Sequence, residues 1–194
     1  MKTIYISLKI LLVMTLLTGI IYPLFITVIG QTIYPVQSNG SMIVVKGKTV
    51  GSELIGQKFT DNRYFHSRPS AIDYNPMPSG GSNLSVTSKE LQLQVKQNTA
   101  IFDSINHLPS SQAIPSEMVY ASGSGLDPNI SVKAAALQLD RICIARHLNN
   151  TEKNQLESLI AQSREGRQLG FLGEERINVL KLNLELDNQF LDRK

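Results

Sequence analysis

The side chains of this 194-residue chain that could do chemistry are few: three histidines, one cysteine and two Gly/Ser loops. His66, His107 and His147 have no Asp, Glu or second His at a metal-ligand spacing. Cys143 is the only cysteine, so it forms no internal disulfide and lacks the partners of a zinc site. Within Leu137-Gln-Leu-Asp-Arg-Ile-Cys-Ile-Ala-Arg146 it reads as a small buried apolar residue of a helix. No G-x-S-x-G elbow occurs, no nucleophile–base pair can be named, and no G-x-x-x-x-G-K-[ST] phosphate loop is present. An anchored hydrolase would therefore lack its nucleophile, its metal and its acid pair.

The two Gly/Ser loops offer binding rather than catalysis. Ser79, Gly80, Gly81, Ser82 and Asn83 stand just before helix signals, where successive backbone N–H groups can form an anion-binding nest. The same glycines equally permit a tight turn into the helix. Ser122-Gly-Ser-Gly-Leu-Asp-Pro128 is a similar loop, with Asp127-Pro128 favouring a turn into a second helix. Gln138 and Arg141, three apart on one helix face, can face a loop together. These seven residues, Ser79 to Asn83 with Gln138 and Arg141, are the candidates for nucleotide or partner contact. Arg63, Arg68, Asp73 and Asp127 are loop charges that can pair with one another or with a partner.

The elements that must carry these groups begin with a membrane span. Residues 10–29, ILLVMTLLTGIIYPLFITVI, hold no charge, and twenty residues at about 1.5 Å each cover the roughly 30 Å of a bilayer interior. Pro23 should kink this helix, and Thr15, Thr18 and Gly19 place small side chains where another helix can pack. The run exceeds a signal-peptide core and no A-x-A-like cleavage site follows it, so a retained anchor is expected. Lys2 and Lys9 precede the span and the next basic residue is Lys46, which puts residues 1–9 in the cytoplasm and the domain outside.

Residues 30–41 read as a short linker, and 42–194 as the soluble domain. About 160 residues outside the membrane suffice for one domain with its own core. The formal charge of +3, without a Lys/Arg block, argues against nucleic acid. Two short strands surround the Lys46-Gly47-Lys48 turn, and Leu54, Ile55 and Phe59 follow as core candidates. The stretch 60–83 is a long loop rich in Pro and Gly. Helices are expected from a Thr87–Glu90 capping box until Pro109, over 132–147 with Ala135, Leu139, Ile142 and Cys143 inward, and over 152–164 after a Thr151 cap. The alternation of Leu180, Leu182, Leu184 and Leu186 has the period of a strand. The fold class is α+β, or α/β, with a small sheet and one N-terminal transmembrane helix.

The linear motifs carry further information. Gly51-Ser-Glu-Leu-Ile-Gly-Gln57, Tyr64-Phe-His-Ser-Arg-Pro-Ser-Ala71, Ser79-Gly-Gly-Ser-Asn-Leu84, Ser122-Gly-Ser-Gly-Leu-Asp-Pro128 and Gly173-Glu-Glu-Arg-Ile-Asn-Val-Leu180 follow in order behind one apolar span. This series closely resembles the KdpC family, the C subunit of the bacterial high-affinity potassium-transporting Kdp ATPase, from the span to Asp187. Glu175 and Ile177 stand where Pro and Val are frequent in that family.

The resemblance implies a non-catalytic inner-membrane subunit that assembles with a channel-like potassium-translocating subunit, a P-type ATPase subunit and a small single-helix subunit. It implies a stabilising role and a catalytic-chaperone effect that raises the ATPase subunit's affinity for ATP. No firmly bound cofactor is implied, ATP being met through the complex. The residues agree in that no aspartyl-phosphate motif and no K⁺-filter sequence occur. The alternative is a direct nucleotide-binding module forming a ternary complex with the ATPase subunit and ATP. That alternative conflicts with the charge-derived topology, because ATP is cytoplasmic and Lys2 and Lys9 place the domain outside.

Overall fold

The computed structural model describes residues 2–109 and 111–190. It divides into two units, Met1–Ser52 and Glu53–Lys194.

The first unit is a long apolar helix followed by a hairpin. Helix α1 (Lys2–Leu16) runs through a π-helical turn (Leu17–Ile21) into α2 (Tyr22–Ile33), a stretch of 32 residues with no buried side chain and enough length and apolarity to cross a membrane. The π turn explains how Pro23 is accommodated. Proline has no N–H to return to the preceding turn, and the ladder widens just before it, with the Tyr22 N–H donating to Leu17 O. Thr18 and Thr27 donate their hydroxyls to Met14 O and Pro23 O at 2.7 and 2.8 Å, so both satisfy themselves within the helix.

The helix outruns the expected 10–29 at both ends, and the expected linker of 30–41 contains its last turn plus a one-turn helix α3 (Pro35–Ser38). Strands β1 (Met42–Val45) and β2 (Lys48–Ser52) form the expected antiparallel hairpin, with a bulge at Ile43/Val44.

The second unit is mostly helical. No helix or strand occurs from Glu53 to Ser88. Helix α4 (Lys89–Asn106) begins at Ser88, whose hydroxyl accepts from Leu91 N–H at 3.0 Å. The cap is one residue past the expected Thr87, which instead meets the Ser85 hydroxyl at 3.0 Å. A 3₁₀ turn (Ser116–Met118) precedes β3 (Asn129–Ile130), which pairs with β4 (Ile177–Asn178) in a two-residue antiparallel ladder.

The expected helix of 132–147 is broken into α5 (Val132–Ala136) and α6 (Leu139–Ala145) at Leu137 and Gln138. Helix α7 (Asn150–Gln162) starts from an Asn149–Glu152 capping box rather than from Thr151. The core gathers Phe65, Ile142, Leu156, Ile177, Leu182 and Leu186, all fully buried, with Ala135, Leu139 and Cys143 among the other buried side chains. Of the expected core residues 54, 55 and 59, Phe59 packs on this cluster, whereas Leu54 and Ile55 are exposed.

The expected C-terminal strand is overturned too. The leucines 180–186 form no strand but lie in helix α8 (Val179–Gln189), capped by Asn178, whose side chain accepts from Lys181 N–H at 3.1 Å. The buried positions are Val179, Leu180, Leu182, Asn183 and Leu186, of which Val179, Leu182, Asn183 and Leu186 stand at i, i+3, i+4 and i+7, one face of a helix. A polar residue at one of these inward positions hid the period.

Candidate functional site

The loop that begins at Asp61 is held down by side chains from α6 and α8. Asn183 Oδ1 accepts from Phe65 N–H at 2.8 Å, and its Nδ2 donates to Phe65 O at 3.0 Å. Gln138 does the same one residue on, accepting from His66 N–H at 2.7 Å and donating to His66 O at 3.2 Å. Two carboxamides thus complete the backbone hydrogen bonding of two consecutive loop residues, as a neighbouring strand would. Phe65 can therefore enter the core with 0% exposure without orphaned amide groups.

Arg141 supplies the next tie. It donates from Nε to Asn106 Oδ1 at 2.9 Å, from Nη1 to Asn62 O at 2.6 Å and from Nη2 to Gln138 Oε1 at 2.8 Å. Burial lowers its pKa to about 10, so it stays charged near neutrality. His66 Nε2 lies 3.3 Å from Arg141 Nη1 and 3.1 Å from Asp61 O. Burial, with the Arg141 charge beside it, lowers the His66 pKa to about 4 and keeps the ring neutral. At the loop's edge Arg146 donates to Arg63 O at 2.8 Å, pairs with Asp187 at 2.6 Å and lies over the Tyr64 ring at 5.0 Å. Tyr64 donates to the other Asp187 oxygen at 3.0 Å.

Gln138 and Arg141 do face a loop together, and it is this one. They are 0% and 2% exposed. Their hydrogen-bond partners are at Asn62, His66, Asn106 and Ala134, not in the 79–83 segment.

The two Gly/Ser loops, by contrast, meet each other. Gly80 N–H donates to Ser124 O at 3.1 Å, and a side chain at Gly81 would approach Gly123 O to 3.2 Å. Gly125, at φ +70°, has room for no side chain, since a Cβ would lie 2.5 Å from Ile72 and 2.9 Å from Gly80 O. Ser70 binds this junction by donating to Gly125 O at 2.7 Å. The Gly80 N–H is thus spent on Ser124 rather than offered outward. The loop charges pair locally, Arg68 with Asp127 and Lys58 with Asp73 each at 2.5 Å, and Arg63 with Asp61 at 2.9 Å.

Two clefts flank this assembly. One, of about 500 Å³, is lined by Arg68, Glu117, Tyr120, Asp127, Glu175 and Arg176 among others. The second, of about 550 Å³, includes Ser70, Ser82, Leu84, Gln94, Asn98 and Tyr120 in its wall, so the two share Tyr120. Ser82 is the one member of the 79–83 candidates that lines either cleft. A third, of about 890 Å³, is bordered by His107, Leu137, Cys143, Ile144, His147 and Lys153. Burial raises the Cys143 thiol above its ordinary pKa, which leaves it a poor nucleophile. Among the described residues no three His, Cys, Asp or Glu converge on a metal position.

The arrangement holds surfaces in place. The residues that hold it are largely ones that motif searching passes over: Asn183, Asn106 and Asn178, the last donating to Glu53 O at 2.7 Å. Their signal is a carboxamide at an inward helical phase, or at a helix start, beside an apolar run.

In the first unit, Thr15, Thr18 and Gly19 all face outward on the apolar helix. Gly19 lies inside the π turn, with Thr15 Cγ2 3.9 Å from where its side chain would begin.

Residues 4–188 match the family model described as KdpC: K⁺-transporting ATPase, c chain. Similar proteins, each named Potassium-transporting ATPase KdpC subunit, occur in several organisms. That of Methylococcus capsulatus is 48% identical over 93% of this chain and 95% of its own length. Those of Caldanaerobacter subterraneus subsp. tengcongensis and Leptospira interrogans are 44% and 43% identical, covering 93% and 98% of this chain and 92% and 96% of their own.

Proposed function

Because this chain belongs to the KdpC family, we propose that it is a non-catalytic, membrane-anchored subunit of a potassium-importing ATPase complex. It stabilises the assembly of the channel-like and ATP-hydrolysing subunits and, through them, raises the ATPase subunit's affinity for ATP. The observation that carries this reading is the long helix of Lys2–Ile33, with no side chain buried, on a chain matched to the family almost from end to end. A surface of that kind finds its low-energy state only in hydrocarbon or against other apolar helices.

The helix crosses the inner membrane once. Lys2 and Lys9 keep the N-terminus on the cytoplasmic side, and the unit from Glu53 onward lies outside. Thr15, Thr18 and Gly19 form the stripe that meets a partner helix.

Direct ATP contact is the lesser reading. Burial of Gln138 and Arg141 favours the indirect one, because both spend their polar atoms on the 62–66 loop. The test is co-expression with the other subunits and purification through a tag on this chain. The proposal expects the ATPase and channel-like subunits to co-purify, and the complex's apparent affinity for ATP to fall when this chain is left out. Recovery of this chain as a lone monomer, together with unchanged ATP dependence without it, overturns the proposal. Saturable ATP binding by the isolated chain would restore the direct reading.

A further inference from the structure

The loop between α7 and β4 is built in the opposite sense to the rest of its unit. Leu169, Phe171 and Leu172 are 82%, 70% and 47% exposed, whereas Leu182 and Leu186 on the following helix are fully buried. The tip is nevertheless ordered by its own bonds. Gln168 and Leu172 exchange two backbone hydrogen bonds of 2.9 Å, Gly170 N–H donates to Arg167 O at 3.1 Å, and Phe171 N–H donates to Gln168 O at 3.3 Å. At its base Glu165 and Arg176 exchange backbone bonds of 2.8 and 3.1 Å and pair through their side chains at 3.1 Å. Arg164 and Glu175 add an ion pair at 3.3 Å.

Leu169 is held at φ +54°, the left-handed region that residues with a side chain adopt only under strain. A strained backbone thus presents an apolar side chain to water, while most tip N–H groups are satisfied internally. Internal satisfaction is what backbone needs in order to enter hydrocarbon.

We propose that the 167–173 tip inserts into the headgroup–acyl boundary of the bilayer that carries the chain's own apolar helix. Three observations select lipid as the occupant. The helix of Lys2–Ile33 requires a bilayer, and the second unit starts at Glu53, so only residues 34–52 tether the domain to its anchor. Tethering of that kind raises the effective concentration of membrane surface to the millimolar range. Between Arg167 and Gly173 there is no carboxylate, and Arg167 has an aliphatic stem long enough to keep its charge among the headgroups.

The proposal rests on the membrane-anchored reading, and the experiment separates the two. The chain has no Trp, so Phe171→Trp or Leu172→Trp in the full chain is a lone fluorophore. Each variant is reconstituted into phosphatidylcholine vesicles containing phosphatidylglycerol, with Leu93→Trp on α4 as the water-facing control. Flotation reads the anchor; Trp emission reads the tip. The expected result is flotation, with blue-shifted tip emission that brominated lipid quenches and iodide does not, and iodide quenching of the control. Flotation with iodide-accessible tip emission, undimmed by brominated lipid, overturns the insertion while leaving the anchor intact. Failure to float overturns the anchor and the insertion with it. A tip shielded from both quenchers when the partner subunits are present places it against protein and also overturns the proposal.

Discussion

The Gln138 carboxamide closes both backbone hydrogen bonds of His66, accepting from the N–H at 2.7 Å and donating to the carbonyl at 3.2 Å across 72 residues of sequence. The same Oε1 accepts a hydrogen bond from Arg141 Nη2 at 2.8 Å. Removing it therefore orphans three groups at once. Gln138→Ala is expected to destabilise the second unit by about 2–4 kcal/mol, the range for buried polar groups left without partners. Thermal unfolding of the detergent-solubilised full chain measures this, and a loss near zero would show that water replaces the carboxamide.

His66 gives the fold a pH dependence whose sign follows from its depressed pKa. In the folded chain it stays neutral down to about 4, whereas an unfolded histidine takes up its proton near the ordinary 6.5. Between those values the unfolded state binds more protons, so stability is complete above pH 6.5 and declines as pH falls toward 4, by roughly 3 kcal/mol at most. Protonation would also set a second cation beside Arg141, 3.3 Å away. Unfolding midpoints taken across this window should fall with pH in the parent chain and fall less in His66→Gln.

The Gly80–Ser124 junction has no slack at Gly125. Gly125→Ala would place a methyl 2.5 Å from Ile72 and 2.9 Å from Gly80 O on a backbone at φ +70°. A cost of about 1–3 kcal/mol is expected, with the 69–83 loop displaced from the 122–125 loop. Limited proteolysis within 69–83 should be faster in this variant, while Gly123→Ala, with open space around the added methyl, should leave the rate unchanged.

In the membrane, Gly19→Leu is expected to weaken association with the partner subunits without altering the unfolding of the Glu53–Lys194 unit. The variant replaces the one residue without a side chain in the Thr15–Gly19 stripe, where close backbone approach needs small groups. Recovery of partner subunits through a tag on this chain measures it. Val13→Ala, on the opposite face of the same helix, should leave recovery unchanged.

The parts of the fold that were legible in the sequence are those where apolar periodicity and backbone chemistry agree. The apolar helix, the Lys46–Gly47 hairpin and the α4 and α7 helices follow from composition, turn residues and caps, with boundaries off by a residue or two in the last three and the apolar helix running from Lys2 to Ile33 rather than 10–29. The α8 segment misled because Asn183 occupies a core position. Without that residue in the inward set, Leu180, Leu182, Leu184 and Leu186 mimic a strand, and with it the buried set is helical. The break at Gln138 was hidden for a related reason. Nothing in a single helix pattern shows that a side chain must turn to serve His66, which only tertiary structure brings near. The same holds for the pairing of the two Gly/Ser loops, visible in sequence as separate turns and in space as one junction.

We propose that one apolar helix carries this domain on the outer face of the inner membrane. The most direct test is sided labelling of Glu157→Cys, an exposed position on α7, in a Cys143→Ser background. A membrane-impermeant maleimide is expected to label this thiol in cells whose outer barrier alone has been opened. Labelling that appears only after the inner membrane is broken would contradict it.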